Sequence, residues 1–403
     1  MDDFLIHNAQ ILTLDDQGII DNGFLVINKG KIVQIGDGTP PGGTYENIID
    51  ADNMIVMPGL VDCHTHLMEY ATIEIHHTYG SAQKIAAMAN LLSALKSGIV
   101  ALGEHHLGHP QLPQSFQGYK QIISDNPVDI KLASGCCFIG TDPLVLVSST
   151  APATVIEKED LNRDMFVDMA KKSDFPGENI FLNATVANLP LDEAPRAGEL
   201  TFSYEEIKVI VEIFHACNKR IGAHLEGDDA AEMFINAGGD VIYHGHNLTD
   251  TMVSKIADIK IPVVITPHGG TSSKPTSPEE VYRFYKQGIM LAIASDSYIP
   301  VHPGAEWINI PSGKLAGPED FMKICEPVLN YLIENGVELS EALKLITLNG
   351  RKILDFPEKN WSLSAGNNAD IIISKKIPAI ETVDVYDIKY VIKSGKLVIN
   401  RIQ

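Results

Sequence analysis

His64 and His66 stand two residues apart in the segment Pro58-Gly59-Leu60-Val61-Asp62-Cys63-His64-Thr65-His66. The residues before it, Met54-Ile55-Val56-Met57, read as a buried strand ended by the Pro-Gly turn, and a second strand then carries the two histidines. Alternate side chains of a strand point to one side, so both imidazoles aim at one point. Two imidazoles on a rigid backbone make half of a transition-metal site. A lone His-x-His arises by chance on many surface strands. Here His224, His244 and Asp296 follow, each at the end of a strand-like run. Neutral imidazoles with one carboxylate suit Zn²⁺ or Fe²⁺, zinc being the first expectation.

The elements that must position these groups alternate along the middle of the chain. Apolar runs at 99–102, 130–133, 180–182, 221–223, 241–243, 263–265 and 291–294, with the His64/His66 strand, make eight strands. Helix-like segments separate most of them. Over 81–96, Ile85, Ala89, Leu92 and Leu95 predict one apolar helical face. Ser203 with Glu206 predicts a capping box, Ser277-Pro278 a second helix start, and Ser340 the cap of a late helix. Strand–helix alternation of this kind predicts an α/β fold, a (β/α)8 TIM-like barrel, whose chemistry sits at the carboxyl ends of its strands. Short strands separated by Gly and Asn/Asp turns fill both chain ends, which predicts that the termini pair into a small β-sandwich. The expected boundaries are 1–57 and 351–403 for the sandwich and 58–350 for the barrel. Residues 135–178 are long for one connection and could form a lid.

The chain has 403 residues, 45% of them hydrophobic, so a large core needs no disulfide staples. A formal charge of −21 excludes nucleic acid and anionic membrane as expected partners and leaves a small molecule. The five cysteines include no C-x-x-C pair, the first residues are acidic, and no run approaches a membrane span of about 20 apolar residues. A cytoplasmic protein with reduced cysteines is expected.

With these motifs in place, the chain resembles the amidohydrolase superfamily over nearly its whole length. The resemblance rests on 58–66, on Ala223-His224-Leu225-Glu226-Gly227, on Ala237 to Gly245, on Ala294-Ser295-Asp296, and on Ala365-Gly366-Asn367-Asn368-Ala369-Asp370. The middle segments look like the branch holding imidazolonepropionase-like enzymes and prolidase-like dipeptidases. Two-metal members bridge their ions with a carbamylated Lys, or a Glu, at the end of the fourth strand. Here Asn179-Ile180-Phe181-Leu182-Asn183-Ala184-Thr185 offers neither, with Phe181 aligned to that Lys. The resemblance therefore implies one metal, as in the cytosine deaminase and imidazolonepropionase types. Such deaminases carry a Glu three residues after the fifth-strand His, whereas Gly227 holds that place here and Glu226 comes one earlier.

The resemblance implies His64, His66, His224 and Asp296 as ligands of one divalent metal, Zn or Fe, which lowers the pKa of bound water to roughly 7. Asp296 would take the water's proton as general base, and His244 would polarise the carbonyl or stabilise the oxyanion. Glu226 could shuttle a proton to the leaving nitrogen. His105, His106 and His268 are candidate substrate contacts at strand ends; for these, as for Glu104 and His109, a polar loop is the competing reading. Ser272, Ser273 and Lys274 read as flexible chain. The expected activity is hydrolysis of a carbon–nitrogen bond other than an ordinary peptide bond, in a cyclic amide or an aminated heterocycle. The alternatives are a prolidase-like dipeptidase or N-acyl amino acid hydrolase, and a non-catalytic scaffold of the same fold. A homo-oligomer is compatible with the resemblance.

Overall fold

A computed structural model describes residues 3–68, 81–108, 115–124, 126–138, 145–148, 154–184, 188, 192, 196–270, 274–357 and 361–402. His109, Ser272 and Ser273 lie outside the described residues, as does Thr185.

Both chain ends build one eight-stranded sheet. Its order runs Lys396–Asn400, Ile388–Lys393, Ile371–Ser374, Ile55–Pro58, Phe4–Leu12, Ile19–Asn28, Lys31–Asp37, and Asn47–Asp50 pairs with Phe4–Leu12. The two ends meet where Ile371–Ser374 runs antiparallel to Ile55–Pro58, with Ile372 opposite Met57. Phe4, Ile6, Ile11, Leu25, Ile27, Val56, Ile371 and Ile373 form a common apolar cluster there. That cluster gives the two sequence-distant segments a reason to associate.

The middle of the chain is α/β. Leu60–Thr65, Ile99–His106 and Asp129–Ser134 form one parallel set. Glu178–Phe181, Gly222–Glu226, Val241–His246, Val263–Ile265 and Leu291–Ile293 form a second. Hydrogen bonds join the outer members of the two sets. Asp296 N donates to His64 O at 2.9 Å, and Ser295 N donates to Asp62 Oδ1 at 3.0 Å. Thr65 and Ser297 form a parallel bridge. Burial pushes the Asp62 carboxyl up to about 6, against the hydrogen bonds from Ser295 and His64.

Within 135–178, Val145–Ser148 pairs antiparallel with both Cys136–Phe138 and Thr154–Glu157, and the helix Arg163–Lys172 follows. The capping boxes at Ser203 and Ser277 form as expected. Two helix expectations need correction. On Ser81–Lys96, Ile85 and Leu92 are exposed, while Ala87, Leu91, Ala94 and Leu95 are buried. Leu95 is buried as expected, and the rest of the buried stripe is carried by Ala87, Leu91 and Ala94 instead of Ile85 and Leu92. The late helix Leu339–Lys344 begins after Glu338, which places Ser340 inside it.

A buried charge cluster ties the terminal sheet to the α/β region. Arg351 Nη1 lies 3.1 Å from Asp129 and Nη2 lies 2.7 Å from Asp370, while Lys393 Nζ lies 3.0 Å from each of the same carboxylates. The Arg351 guanidinium also stacks on Trp361, 3.6 Å from the ring centroid. Removing Arg351 leaves the buried Asp370 and the partly exposed Asp129 with Lys393 as their remaining cation in the cluster. Arg351→Ala is therefore expected to lower unfolding free energy by about 1–3 kcal/mol. Equilibrium denaturant titration reads this loss, and a change below about 1 kcal/mol would show that the cluster adds little.

Candidate metal centre

The carboxyl ends of the parallel strands bring distant residues to one point. His64 is buried near the end of Leu60–Thr65 and His66 follows it. Their Nε2 atoms face each other at 3.2 Å, as the period-2 argument requires. Asp296 follows Leu291–Ile293 and sets Oδ1 3.2 Å from His66 Nε2 and 3.5 Å from His64 Nε2. His244, on Val241–His246, comes within 4.0 Å of Asp296 Oδ2. His244 and Asp296 both hold left-handed backbone, φ +67° and +46°. Each such residue costs of order 1–3 kcal/mol and persists where the surroundings force it, as at functional sites.

Glu178, the first residue of Glu178–Phe181, is the member that sequence reasoning missed. Its carboxylate sits in the middle of the cluster. Oε2 lies 3.2 Å from His64 Nε2, and Oε1 lies 2.5 Å from His244 Nε2 and 3.1 Å from His224 Nδ1. Phe181, the residue aligned to the bridging position, instead stacks flat on the His224 ring, 4.4 Å between centroids. The pairing of this strand with Gly222–Glu226 carries a register shift between Glu178 and Ile180. The available signal was chemical. Glu178-Asn179 interrupts an otherwise apolar stretch, and both residues are buried. An acidic side chain is seldom buried without a partner.

Among the described residues, two groups have their ligand atoms within 4.8 Å of one another: His64, His66, Asp296, and His64, Glu178, His244. The set fits a borderline divalent cation, being imidazole nitrogen plus carboxylate oxygen. His224 Nε2, His64 Nδ1 and His66 Nδ1 are buried without hydrogen-bond partners among the described residues. Burial alone would raise the Glu178 and Asp296 carboxyls, yet the surrounding imidazoles hold both well below the usual carboxylate range. His66 goes the other way: burial would lower it, but the hydrogen bond and charge of Asp296 raise it to about 9.

The remaining expected residues fall around this centre. Glu226 ends its strand, its N donating to Asn183 Oδ1 at 2.8 Å, and its carboxylate lies beside Gly198, outside both ligand groups. His105 is buried edge-on to His64 (4.4 Å between centroids) and against Phe175 and Tyr243. His106 points to the helix side, against Phe116 and Tyr119. His268 is fully buried, neither ring nitrogen is partnered among the described residues, and burial lowers it to about 4. Glu104 is buried and grips the turn after His66: it accepts from Thr65 Oγ1 (2.7 Å), Leu67 N (3.0 Å) and Met68 N (2.7 Å). Lys274 pairs with Glu280 at 3.3 Å.

The 5′-deoxyadenosine deaminase of Methanosarcina barkeri is 45% identical over 67 residues, 16% of this chain and 15% of that protein. The imidazolonepropionase of Brucella anthropi is 29% identical over 143 residues, 33% of this chain and 34% of that protein. The chain thus matches about a third or less of the length of these curated relatives. Among solved structures, a prolidase complexed with N-methylphosphonate-L-proline superposes with a TM-score of 0.73 at 17% identity, over 99% of this chain and 100% of the other. The ochratoxinase of A. niger gives 0.71 at 18% identity, over 99% and 96%. At such identities the likeness is one of fold. The sequence matches the amidohydrolase family across residues 55–398, nearly the whole chain, and this protein belongs to that family.

Proposed function

We propose that the protein is a metal-dependent hydrolase that uses water to cleave a carbon–nitrogen bond other than an ordinary peptide bond, in a cyclic amide or an aminated heterocycle. The observation that carries this reading is the pair of ligand groups that share His64, one with His66 and Asp296 and the other with Glu178 and His244. The family membership and the short matches to a deaminase and to imidazolonepropionase support it. The parallel strands are read as a closed (β/α)8 barrel over 58–350, supported by the hydrogen bonds that join Asp62 and His64 to Ser295 and Asp296. Residues 1–57 and 351–403 are read as a β-sandwich. The substrate is a small molecule and the setting cytoplasmic.

His64, His66, His224 and Asp296, with Glu178, would hold a divalent metal, zinc by first choice and iron as the alternative. When bound, it supplies Lewis acidity toward the scissile group and acidifies water. Asp296, ionised beside three imidazoles, accepts the proton from water. His244 stabilises the negative charge that develops on the substrate oxygen or ring nitrogen. Glu226 passes a proton to the leaving nitrogen. His268 is the substrate contact this arrangement favours, ahead of His105 and His106.

Glu178 favours a second reading. One of its oxygens faces His64 and the other faces His224 and His244. A carboxylate so shared can serve two cations, His64, His66 and Asp296 holding one and His224 with His244 the other. The inference of one metal rested on the absence of such a residue, so that ground is gone. Two-metal members of the superfamily include prolidase-like dipeptidases, and a dipeptide or N-acyl amino acid then becomes the substrate class.

Metal content per chain, measured by elemental mass spectrometry on protein purified without chelator, tests both readings. One zinc or iron per chain supports hydrolysis of cyclic amides or aminated heterocycles. Two per chain support the dipeptide reading. A protein that binds none after repletion would refute both and leave the non-catalytic scaffold.

A further inference from the structure

The turn that follows Val263–Ile265 holds a group that the mechanism above does not use. Thr266 is fully buried, its Oγ1 in hydrogen-bond contact with Gly269 O and 2.7 Å from His244 Nδ1. A carbonyl oxygen can only accept, so the single hydroxyl proton of Thr266 goes to Gly269. Oγ1 then turns lone pairs toward His244, and Nδ1 must be the donor. With its proton on Nδ1, His244 presents Nε2 to the centre, 2.5 Å from Glu178 Oε1 and 4.0 Å from Asp296 Oδ2, a contact with a carboxylate that calls for a cation or a second proton between the two atoms.

The turn is built to keep that acceptor in place. Gly269 and Gly270 adopt φ +128° and +127°, which side-chain-bearing residues rarely reach. A Cβ on Gly270 would stand 2.2 Å from His244 Nδ1, so the backbone closes directly over that edge of the ring. A Cβ on Gly269 would meet Asn188 Nδ2 at 2.2 Å. Asn188 clamps the turn from across the site. Its Oδ1 accepts from Gly270 N at 3.0 Å, and its Nδ2 donates to Pro300 O at 2.7 Å. The Gly269 carbonyl is thereby fixed where Thr266 reaches it.

We propose that Thr266 is a positioning residue that fixes the Nδ1–H tautomer of His244 and so commits Nε2 to the metal-binding cluster. This rests on the second reading under Proposed function, in which His244 with His224 holds a cation; an imidazole with its proton on Nδ1 offers Nε2 as a ligand and not as a donor to an oxyanion. Histidines that ligate metals give their other N–H to a fixed acceptor, and losing that acceptor costs roughly 10–100-fold in metal affinity.

The test compares wild type, Thr266→Ser and Thr266→Val, each labelled with ¹⁵N-histidine. Thermal melting confirms that all three fold. Two quantities are read: the imidazole N–H signals of the metal-free protein, and the dissociation constant for Zn²⁺ alone by chelator competition. The His244 signal is identified by its absence in His244→Asn. Wild type and Thr266→Ser are expected to show a slowly exchanging Nδ1–H on His244. Thr266→Val is expected to lose it and to bind zinc roughly 10–100-fold more weakly. An unchanged signal and affinity in Thr266→Val would overturn the proposal. So would a Ser variant as weak as the Val variant, or a wild-type His244 protonated on Nε2 alone. If the N–H signals behave as expected but wild type binds no zinc, the tautomer assignment stands and the metal reading fails.

Discussion

Glu178→Gln is expected to lower bound metal per chain and to cut turnover by roughly a thousandfold, the equivalent of several kcal/mol of transition-state stabilisation. The reason is its place in the cluster. One carboxylate faces three imidazoles, and burial of a negative charge is tolerated only because those groups, or a cation held with them, compensate it. An amide of the same shape keeps the volume and removes the charge. Metal content and zinc affinity should fall together, and a hydrogen-bonding role alone would leave both nearly intact. A variant with wild-type metal content and turnover would remove Glu178 from the site and restore the argument for a single ion. A drop from two ions to one would instead identify Glu178 as shared between them.

Asp296→Asn separates proton transfer from metal retention. Turnover should fall about 10²–10⁴-fold, the usual contribution of a positioned general base. Metal should be largely retained, because His64, His66 and Glu178 keep their contacts. Asp296 is suited to the role by its surroundings. Its backbone nitrogen is held by His64 O, its φ is left-handed, and neighbouring imidazoles keep the side chain ionised despite burial. Turnover with any substrate found by screening, set beside metal content of the same preparation, checks the expectation. Substantial residual turnover would refute the base role. Loss of metal together with activity would make Asp296 a ligand first.

The two variants probe residues that differed in how legible they were. Asp296 could be read from the chain because it directly follows a short apolar strand, where α/β proteins place their chemistry. His224 and His244 were legible for the same reason, and His64 and His66 because period-2 alternation is a local property of one strand. Glu178 was not legible by those rules. It precedes the apolar run Ile180-Phe181-Leu182 rather than following it, and the pairing with Gly222–Glu226 shifts register between it and Ile180. No count along one strand contains the offset of its neighbour. The helix Ser81–Lys96 was partly misread in a similar way: of the face expected from Ile85, Ala89, Leu92 and Leu95, Leu95 is buried, while the packed neighbours otherwise accept the face carrying Ala87, Leu91 and Ala94.

The amino-acid sequence by itself determined the alternation of strands and helices, the pairing of two β-rich ends, and the histidines and Asp296 that define the centre. These depend on periodicity, capping and turn chemistry within a few residues of each other. Tertiary structure alone decided which carboxylate lies between the imidazoles, which nitrogen of His244 faces it, and which side of each strand His105 and His106 occupy. Those outcomes depend on contacts between residues tens to hundreds of positions apart, such as Glu178 with His244 and Asp62 with Ser295. A buried charge or imidazole is oriented by whichever partners the fold delivers to it, and those partners are set by packing, not by the spacing of residues along the chain.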